Sequence, residues 1–285
     1  MTTAYPFIIR LGSLEITGYG IMMMVGFLMG GWMIDRDLRR RGFNPEYAAD
    51  IVVAAVIGGI VGAKLWYVSL PGNAHALFDR GGLVWYGGLL GGALAVVING
   101  WLKRVPFRWT AQLVAPALPA AYALGRLGCF MVGDDYGMPT TGWWGVKFPQ
   151  GLPPTTGAGL SQFGVALPPG TEPTTLLAVH PTQLYEAVLM TAAFMVIWQL
   201  RTRPLGTGWL FGLYLVFAGA ERFFIEFFRA KDDRFLGSFT VAQLTSVILV
   251  LVGTALIIRL KGAGAAAPGE YLAGRKDDRP GGKKR

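Results

Sequence analysis

One cysteine and two histidines are the only thiol and imidazole metal ligands this 285-residue chain carries. Cys129 alone can close no intrachain disulfide and build no multi-cysteine metal site, and His75 with His180 give too few imidazoles for a zinc centre. Charge is also scarce. Asp, Glu, Lys and Arg make up 15% of the residues and hydrophobic types 53%, whereas soluble domains carry roughly 25% charge. An ordinary soluble fold is excluded. Residues 1–14 lack the basic start of a secretory leader, and Arg36, Arg39, Arg40 and Arg41 follow the first apolar run instead of preceding it. That run is therefore expected to be retained as a span.

What the chain has in quantity is long apolar windows, 41 glycines, nine tryptophans and ten tyrosines. Windows long enough for a ~30 Å hydrocarbon core lie near 15–34, 47–68, 83–102, 109–132, 182–200, 207–228 and 239–258. The expected fold is an all-α polytopic membrane protein of about seven transmembrane helices. Placing the ends of spans 1, 3, 5 and 7 in the cytoplasm gathers Arg36 to Arg41, Lys103, Arg104, Arg108, Arg201, Arg203 and the basic tail on one side. The positive-inside rule then sets the N-terminus outside and the C-terminus inside. The formal charge of +9 thus points to a membrane, and no nucleic-acid partner is expected. The expected organisation is a membrane domain over 1–260, with an outer arm or cap at about 133–179 holding Trp143, Trp144 and Phe148, and a mobile basic tail over 261–285. A short interfacial element holding His75 is expected at 69–82. Gly58/Gly62 and Gly87/Gly91 with Gly88/Gly92 recur at four-residue spacing, which lets spans 2 and 3 pack backbone to backbone.

Ionisable residues inside spans cost ~2.5–3.5 kcal/mol each on insertion scales and mark function by default. Lys64, Arg126, Glu186, Arg222 and Glu226 are such residues, and the first, second, fourth and fifth fall in the outer parts of their spans. In Arg222-Phe-Phe-Ile-Glu226-Phe-Phe-Arg229 the charges at i, i+4 and i+7 share one helical stripe with phenylalanines on its flanks. An internal Arg222–Glu226 pair that only fixes packing reads this stripe equally well. With Arg126, Lys64 and Arg229 added, basic groups exceed the acids and leave room for an anion, and a guanidinium fork suits phosphate. Span 4 ends in Gly125-Arg126-Leu-Gly-Cys-Phe-Met-Val-Gly-Asp134-Asp135-Tyr-Gly137. Span 3 opens with Trp85-Tyr86-Gly87-Gly88, and His180-Pro-Thr-Gln183-Leu-Tyr185-Glu186 starts span 5.

Together these stretches resemble the prolipoprotein diacylglyceryl transferase family, from Tyr19-Gly20 in span 1 to Gln243 in span 7. Arg126 with Gly137 matches the family signature Gly-Arg-x-Gly/Ala-Asn-Phe-x-Asn-x-Glu-x-x-Gly, and the His180 to Glu186 stretch and the Arg222/Glu226/Arg229 stripe match two further motifs. The family's His-Gly-Gly-Leu-Ile-Gly is Tyr86-Gly-Gly-Leu-Leu-Gly here; Cys129 and Val132 stand for the signature's asparagines and Asp134 for its glutamate. The chain therefore resembles a divergent branch. The resemblance implies a bacterial cytoplasmic (inner) membrane enzyme that moves the diacylglyceryl group of phosphatidylglycerol to the lipobox cysteine thiol of a secreted preprotein, with no cofactor. It implies catalytic roles for Arg222, Arg126, Tyr86, Glu226 and His180. Tyr19, Lys64, Gly87, Gly88, Asp134, Gly137, Gln183, Tyr185 and Arg229 are the implied substrate contacts, Asp134 holding Arg126 or a glycerol hydroxyl. Two other readings stand beside it: an enzyme of the same fold with another lipid donor or thiol acceptor, and a non-catalytic binder or transporter of anionic lipid.

Overall fold

A computed structural model of the chain describes residues 1–12, 14–73, 75, 77, 82–165, 167–230, 234–236 and 239–274. Its helices are α1 (Gly18–Arg41), α2 (Glu46–Ser69), α3 (Trp85–Leu102), α4 (Phe107–Val114), α5 (Ala117–Val132), α6 (Gly157–Ser161), α7 (Thr182–Leu200), α8 (Trp209–Ile225), α9 (Val241–Leu260) and α10 (Glu270–Ala273). Among the described residues α1, α2, α3, α7 and α9 are each long and apolar enough to cross a bilayer, and a sixth span results if α4 and α5 count as one broken helix. The window 109–132 is interrupted because Pro116 caps α5 and has no N–H to carry the hydrogen-bond ladder through. The expected seven also includes α8, which has 17 residues and is prolonged by a 3-10 turn, Glu226–Phe228. In the opposite sense α1 outruns its apolar window. Its last turns stay helical through ion pairs at helical spacing, Arg39–Asp35 at 2.8 Å, Arg40–Asp37 at 2.6 Å and Arg41–Asp37 at 2.8 Å.

Polarity is inverted relative to a soluble protein. Leu28, Ile57, Leu94, Leu251 and Ile258 each expose more than half their surface, while Asp37, Gln183 and Glu186 are buried. Hydrocarbon as solvent selects that arrangement.

Two compact units make up the chain. The first holds residues 1–29, 115–205 and 209–262. In it the start of α1 lies on α5, where a Cβ added to Gly26 would touch Ala121 at 3.5 Å and one added to Gly128 would meet Tyr19 Cα at 3.0 Å. α5 packs on α7, α7 on α8 and α8 on α9. The α8–α9 seam is built on Gly212, Gly219 and Gly253, whose missing side chains leave room for backbone on the facing helix. Thr240 and Gln243 close a capping box at the start of α9, each side chain bonding the other's backbone N–H at 3.2 Å.

Sequence periodicity gives no sign of the short strands in this unit. β2 (Ile8–Leu11) and β3 (Leu14–Thr17) form an antiparallel hairpin, and β1 (Thr2–Thr3) pairs in parallel with β4 (Val146–Lys147). β5 (Arg234–Leu236) and β6 (Phe239–Thr240) form a third small pair. The segment after α5 has a core of its own, with Tyr136, Val146, Phe148, Leu160, Val179 and Ala230 buried together. Phe148 is thus interior, while Trp143 and Trp144 face outward.

The second unit holds residues 30–114, 206–208 and 263–285. Its α2–α3 pair has the expected backbone contact: a Cβ on Gly62 would come within 2.7 Å of Gly91 Cα, and one on Gly91 equally close to Gly62 Cα. Part of the expected outer element at 69–82 and the end of the tail, 275–285, lie outside the described residues. The start of the tail makes specific contacts. Leu272 is fully buried, Ala266 accepts from Trp109 Nε1 at 2.9 Å, and the Tyr271 hydroxyl donates to Asp50 at 2.6 Å beside Lys103. One leucine and one tyrosine seat a stretch whose composition otherwise reads as loop.

Candidate active site

The site grows out of three helix ends in the first unit. α5 presents Tyr122 and Arg126 one turn apart, and Gly133 at φ +73° ends the helix in a left-handed cap. The chain then turns through Asp134 and Asp135, the latter also left-handed at φ +55°, a conformation that aspartate tolerates better than most residues. Gly137 is fixed by packing: its N–H donates to the His180 carbonyl at 2.8 Å, and a Cβ there would strike Thr182 Cγ2 at 2.7 Å and His180 Cβ at 2.9 Å. From α7, Gln183 Nε2 donates to the Asp134 carbonyl at 2.5 Å and Thr182 Oγ1 to the Asp135 carbonyl at 2.9 Å. These two buried polar residues therefore set the loop against α7 and bring Glu186 beneath it.

Glu186 has no exposed surface. Its Oε2 lies 2.8 Å from Arg126 Nε and its Oε1 3.9 Å from Arg222 Nη1. Two guanidiniums from different helices thus converge on one buried carboxylate. Arg126 also reaches Asp135 Oδ2 at 2.8 Å and the Tyr122 hydroxyl at 3.0 Å. Arg222 pairs with Glu226 at 2.6 Å, the i,i+4 pair that the spacing predicts. The stripe does not extend to Arg229, because α8 tightens into the 3-10 turn at Glu226 and Arg229 leaves it in extended conformation. Its guanidinium instead meets Asp135 Oδ1 at 3.0 Å.

Within the first unit the arginines of this cluster face carboxylates among the described residues. Arg126, Arg222 and Arg229 are matched by Glu186, Glu226 and Asp135, and Lys64 belongs to the second unit, where its ammonium lies over the Tyr67 ring. Asp135, and not Asp134, holds Arg126. Burial raises the Asp135 carboxyl's pKa, but Arg229 and Arg126 outweigh it and hold the group below the usual carboxylate range. Asp134 goes the other way, to about 6, through burial and the neighbouring Asp135 charge, opposed by its bond to the Cys129 thiol and by Arg126 and Arg229.

The remaining expected site residues divide by position. Tyr19 lies on α1 within electrostatic reach of Cys129, Asp134 and Arg126. His180 sits in an aromatic box, its Nδ1 3.2 Å from the Tyr185 hydroxyl and its ring 5.4 Å from that of Phe228, and burial lowers the pKa of its imidazole. Tyr185 also lines an apolar groove of about 400 Å³ with Leu184, Val188, Leu189, Phe224, Ile225 and Phe228. Tyr86, Gly87 and Gly88 lie in the second unit. There Tyr86 is exposed with its ring edge-on to Trp85, and Gly87 and Gly88 face α2 across the glycine seam.

Sequence reasoning gave no role to Glu186, Asp135, Tyr122 or Glu221. The rarity of an intramembrane acid marks Glu186 and equally Glu221, and adjacency to Asp134 marks Asp135; nothing in the sequence marks Tyr122.

Residues 6–259 match the family model for prolipoprotein diacylglyceryl transferase. The chain is similar to the phosphatidylglycerol-prolipoprotein diacylglyceryl transferase of Geobacter sulfurreducens, 33% identical over 268 residues that cover 89% of this chain and 94% of the relative. The protein of the same name from Symbiobacterium thermophilum is 32% identical over 262 residues, 88% and 91% of the two chains. That from Clostridium tetani is 30% identical over 255 residues, 87% and 94%. With that breadth of match across a polytopic helical protein, the chain belongs to the prolipoprotein diacylglyceryl transferase family.

Proposed function

We propose that this protein transfers the diacylglyceryl group of phosphatidylglycerol to the lipobox cysteine thiol of a secreted preprotein, forming a thioether and releasing glycerol phosphate. The observation that carries the reading is the convergence of Arg126 and Arg222 on Glu186. In the reaction the thiolate sulfur attacks the glyceryl carbon, the S–C bond forms, and the C–O bond to phosphate breaks with its electron pair passing to the phosphate oxygen. Negative charge then grows on the phosphate, and donors fixed beforehand in a water-poor site stabilise it most. Arg222 Nη1 suits this task, being buried with no hydrogen-bond partner among the described residues. A thiol of ordinary pKa near 8.5 costs only ~2 kcal/mol to ionise at pH 7, so a nearby guanidinium field can replace a strong base. This accommodates Tyr86 where the family motif has histidine.

In this reading Glu226 and Asp135 orient the arginines, and the apolar groove beside Tyr185 accepts an acyl chain from the bilayer. The segment 133–179 borders the outer opening through which the preprotein cysteine arrives. Residues 1–260 form seven spans in a bacterial cytoplasmic membrane, α8 with its 3-10 turn being one of them, with the arginine-rich loops in the cytoplasm. External labelling of a cysteine placed at Arg104, in a Cys129→Ala background and intact cells, would overturn that orientation. The activity is tested by mass: purified protein with phosphatidylglycerol and a lipobox peptide should add one diacylglyceryl unit to the peptide and release glycerol phosphate stoichiometrically. An unmodified peptide alongside tight phosphatidylglycerol binding would favour the binding-protein reading.

A further inference from the structure

Glu221 precedes Arg222 on α8, and the residue is only 7% exposed. Among the described residues Oε1 has no hydrogen-bond partner, and no arginine lies within ion-pair distance of either oxygen. It is nevertheless within electrostatic reach of Glu186 on α7, of Arg126 and Tyr122 on α5, of Arg222 and Tyr214 on α8, and of Arg229 beyond it. α9 brings Ser246, which does not titrate, against the same turn at Gly219. The three guanidiniums are each already matched to a carboxylate, so an ionised Glu221 would be a further negative charge with no ion-pair partner among the described residues. Such a buried, unpaired charge is far more costly than a buried neutral carboxyl.

We propose that Glu221 holds a proton in the resting protein, and that this proton, instead of a surplus of basic residues, keeps Arg126 and Arg222 available to an anionic lipid phosphate. Glu221 is a positioning residue, and its role in turnover rests on the transferase reading above. Loss of the proton places a negative charge behind both guanidiniums, which draws them toward itself and repels the phosphate. The KM for phosphatidylglycerol therefore rises at alkaline pH, approaching about tenfold per pH unit as a one-proton competition requires, whereas ionisation of the peptide thiol acts on kcat and on the peptide's own KM.

The test pairs two readouts. In the first, KM for phosphatidylglycerol is measured from pH 6.5 to 9.5 with wild type and Glu221→Gln, the amide imitating the protonated acid. The wild-type rise should vanish in the variant. A flat wild-type profile, which needs no variant to fold, overturns the proposal, as does an unchanged rise in Glu221→Gln. The second readout requires no turnover: infrared difference spectra of the resting protein should show a protonated carboxyl C=O band that Glu221→Gln removes. If the band is present and assigned but no lipid is transferred, the proton assignment stands and the transferase reading fails. If transfer proceeds and the band is unaffected by Glu221→Gln, the proposal fails alone.

Discussion

Removing the carboxylate of Glu186 should cost about 3 kcal/mol of stability. The residue is completely buried and forms an ion pair with Arg126 Nε at 2.8 Å, with Arg222 Nη1 at 3.9 Å, and it accepts from the Tyr122 hydroxyl at 3.4 Å. Deleting one partner of a buried ion pair typically costs about 3–5 kcal/mol, because the surviving charge stays desolvated. Here Arg126 keeps Asp135 at 2.8 Å and Tyr122 at 3.0 Å, which places Glu186→Ala at the lower end. Glu186→Gln retains the volume but loses the charge, so about 1–2 kcal/mol is expected from the weakened electrostatic contact. The assay is reversible denaturant unfolding in a fixed detergent, extended to a double-mutant cycle with Arg126→Gln. A coupling energy of at least about 1.5 kcal/mol between the two positions should emerge. Glu186→Ala within about 0.5 kcal/mol of wild type, or a coupling near zero, would refute the placement of Glu186 as the common partner of the arginines.

Asp134 gives a pH signature. Its folded pKa of about 6 lies above the ordinary 3.8, so the native state binds more protons than the unfolded chain between those values, and stability falls as pH rises through that window, levelling above about 6. Asp134→Asn should flatten the fall, as chemical denaturation between pH 4 and 7 will show; an identical slope in the variant would discredit the assignment. Gly62→Leu should abolish folding by forcing α2 off α3 at Gly91, read as loss of monodisperse protein in size-exclusion chromatography, and wild-type yield would contradict the seam. Tyr86→His should preserve or raise transfer and Tyr86→Phe should lower it, in a mass-resolved rate comparison; a slower histidine variant would argue against Tyr86 standing in for that residue.

Much of the helical frame was legible because hydrocarbon imposes a coarse rule, a long apolar window with charge held to its ends. The exceptions are instructive. Pro116 broke a window whose hydropathy alone is continuous, and Asp35 and Asp37 prolonged α1 beyond its apolar run by pairing locally. The strands Ile8–Leu11 and Leu14–Thr17 were not legible, since their alternation is too brief to stand out beside a spanning helix. Within the site, the i,i+4 pair of Arg222 and Glu226 could be derived from helix geometry alone. The choice between Asp134 and Asp135 could not, because it turns on one left-handed residue at the end of α5, which directs the second carboxylate and not the first to both Arg126 and Arg229. Residue counting does not give the ion pairs themselves, in which Glu186, Glu226 and Asp135 face the three arginines.

The central claim is that Arg222 acts on the phosphate of the lipid. Its most direct test is the mass-resolved transfer of a diacylglyceryl group from phosphatidylglycerol to a lipobox peptide, run with wild type, Arg222→Lys and Arg222→Ala at matched folded concentration. Wild type should transfer. Arg222→Lys should be severely slowed because one ammonium cannot reproduce a two-pronged guanidinium contact, and Arg222→Ala should form no detectable thioether while remaining folded. Transfer by folded Arg222→Ala at the wild-type rate would contradict the account.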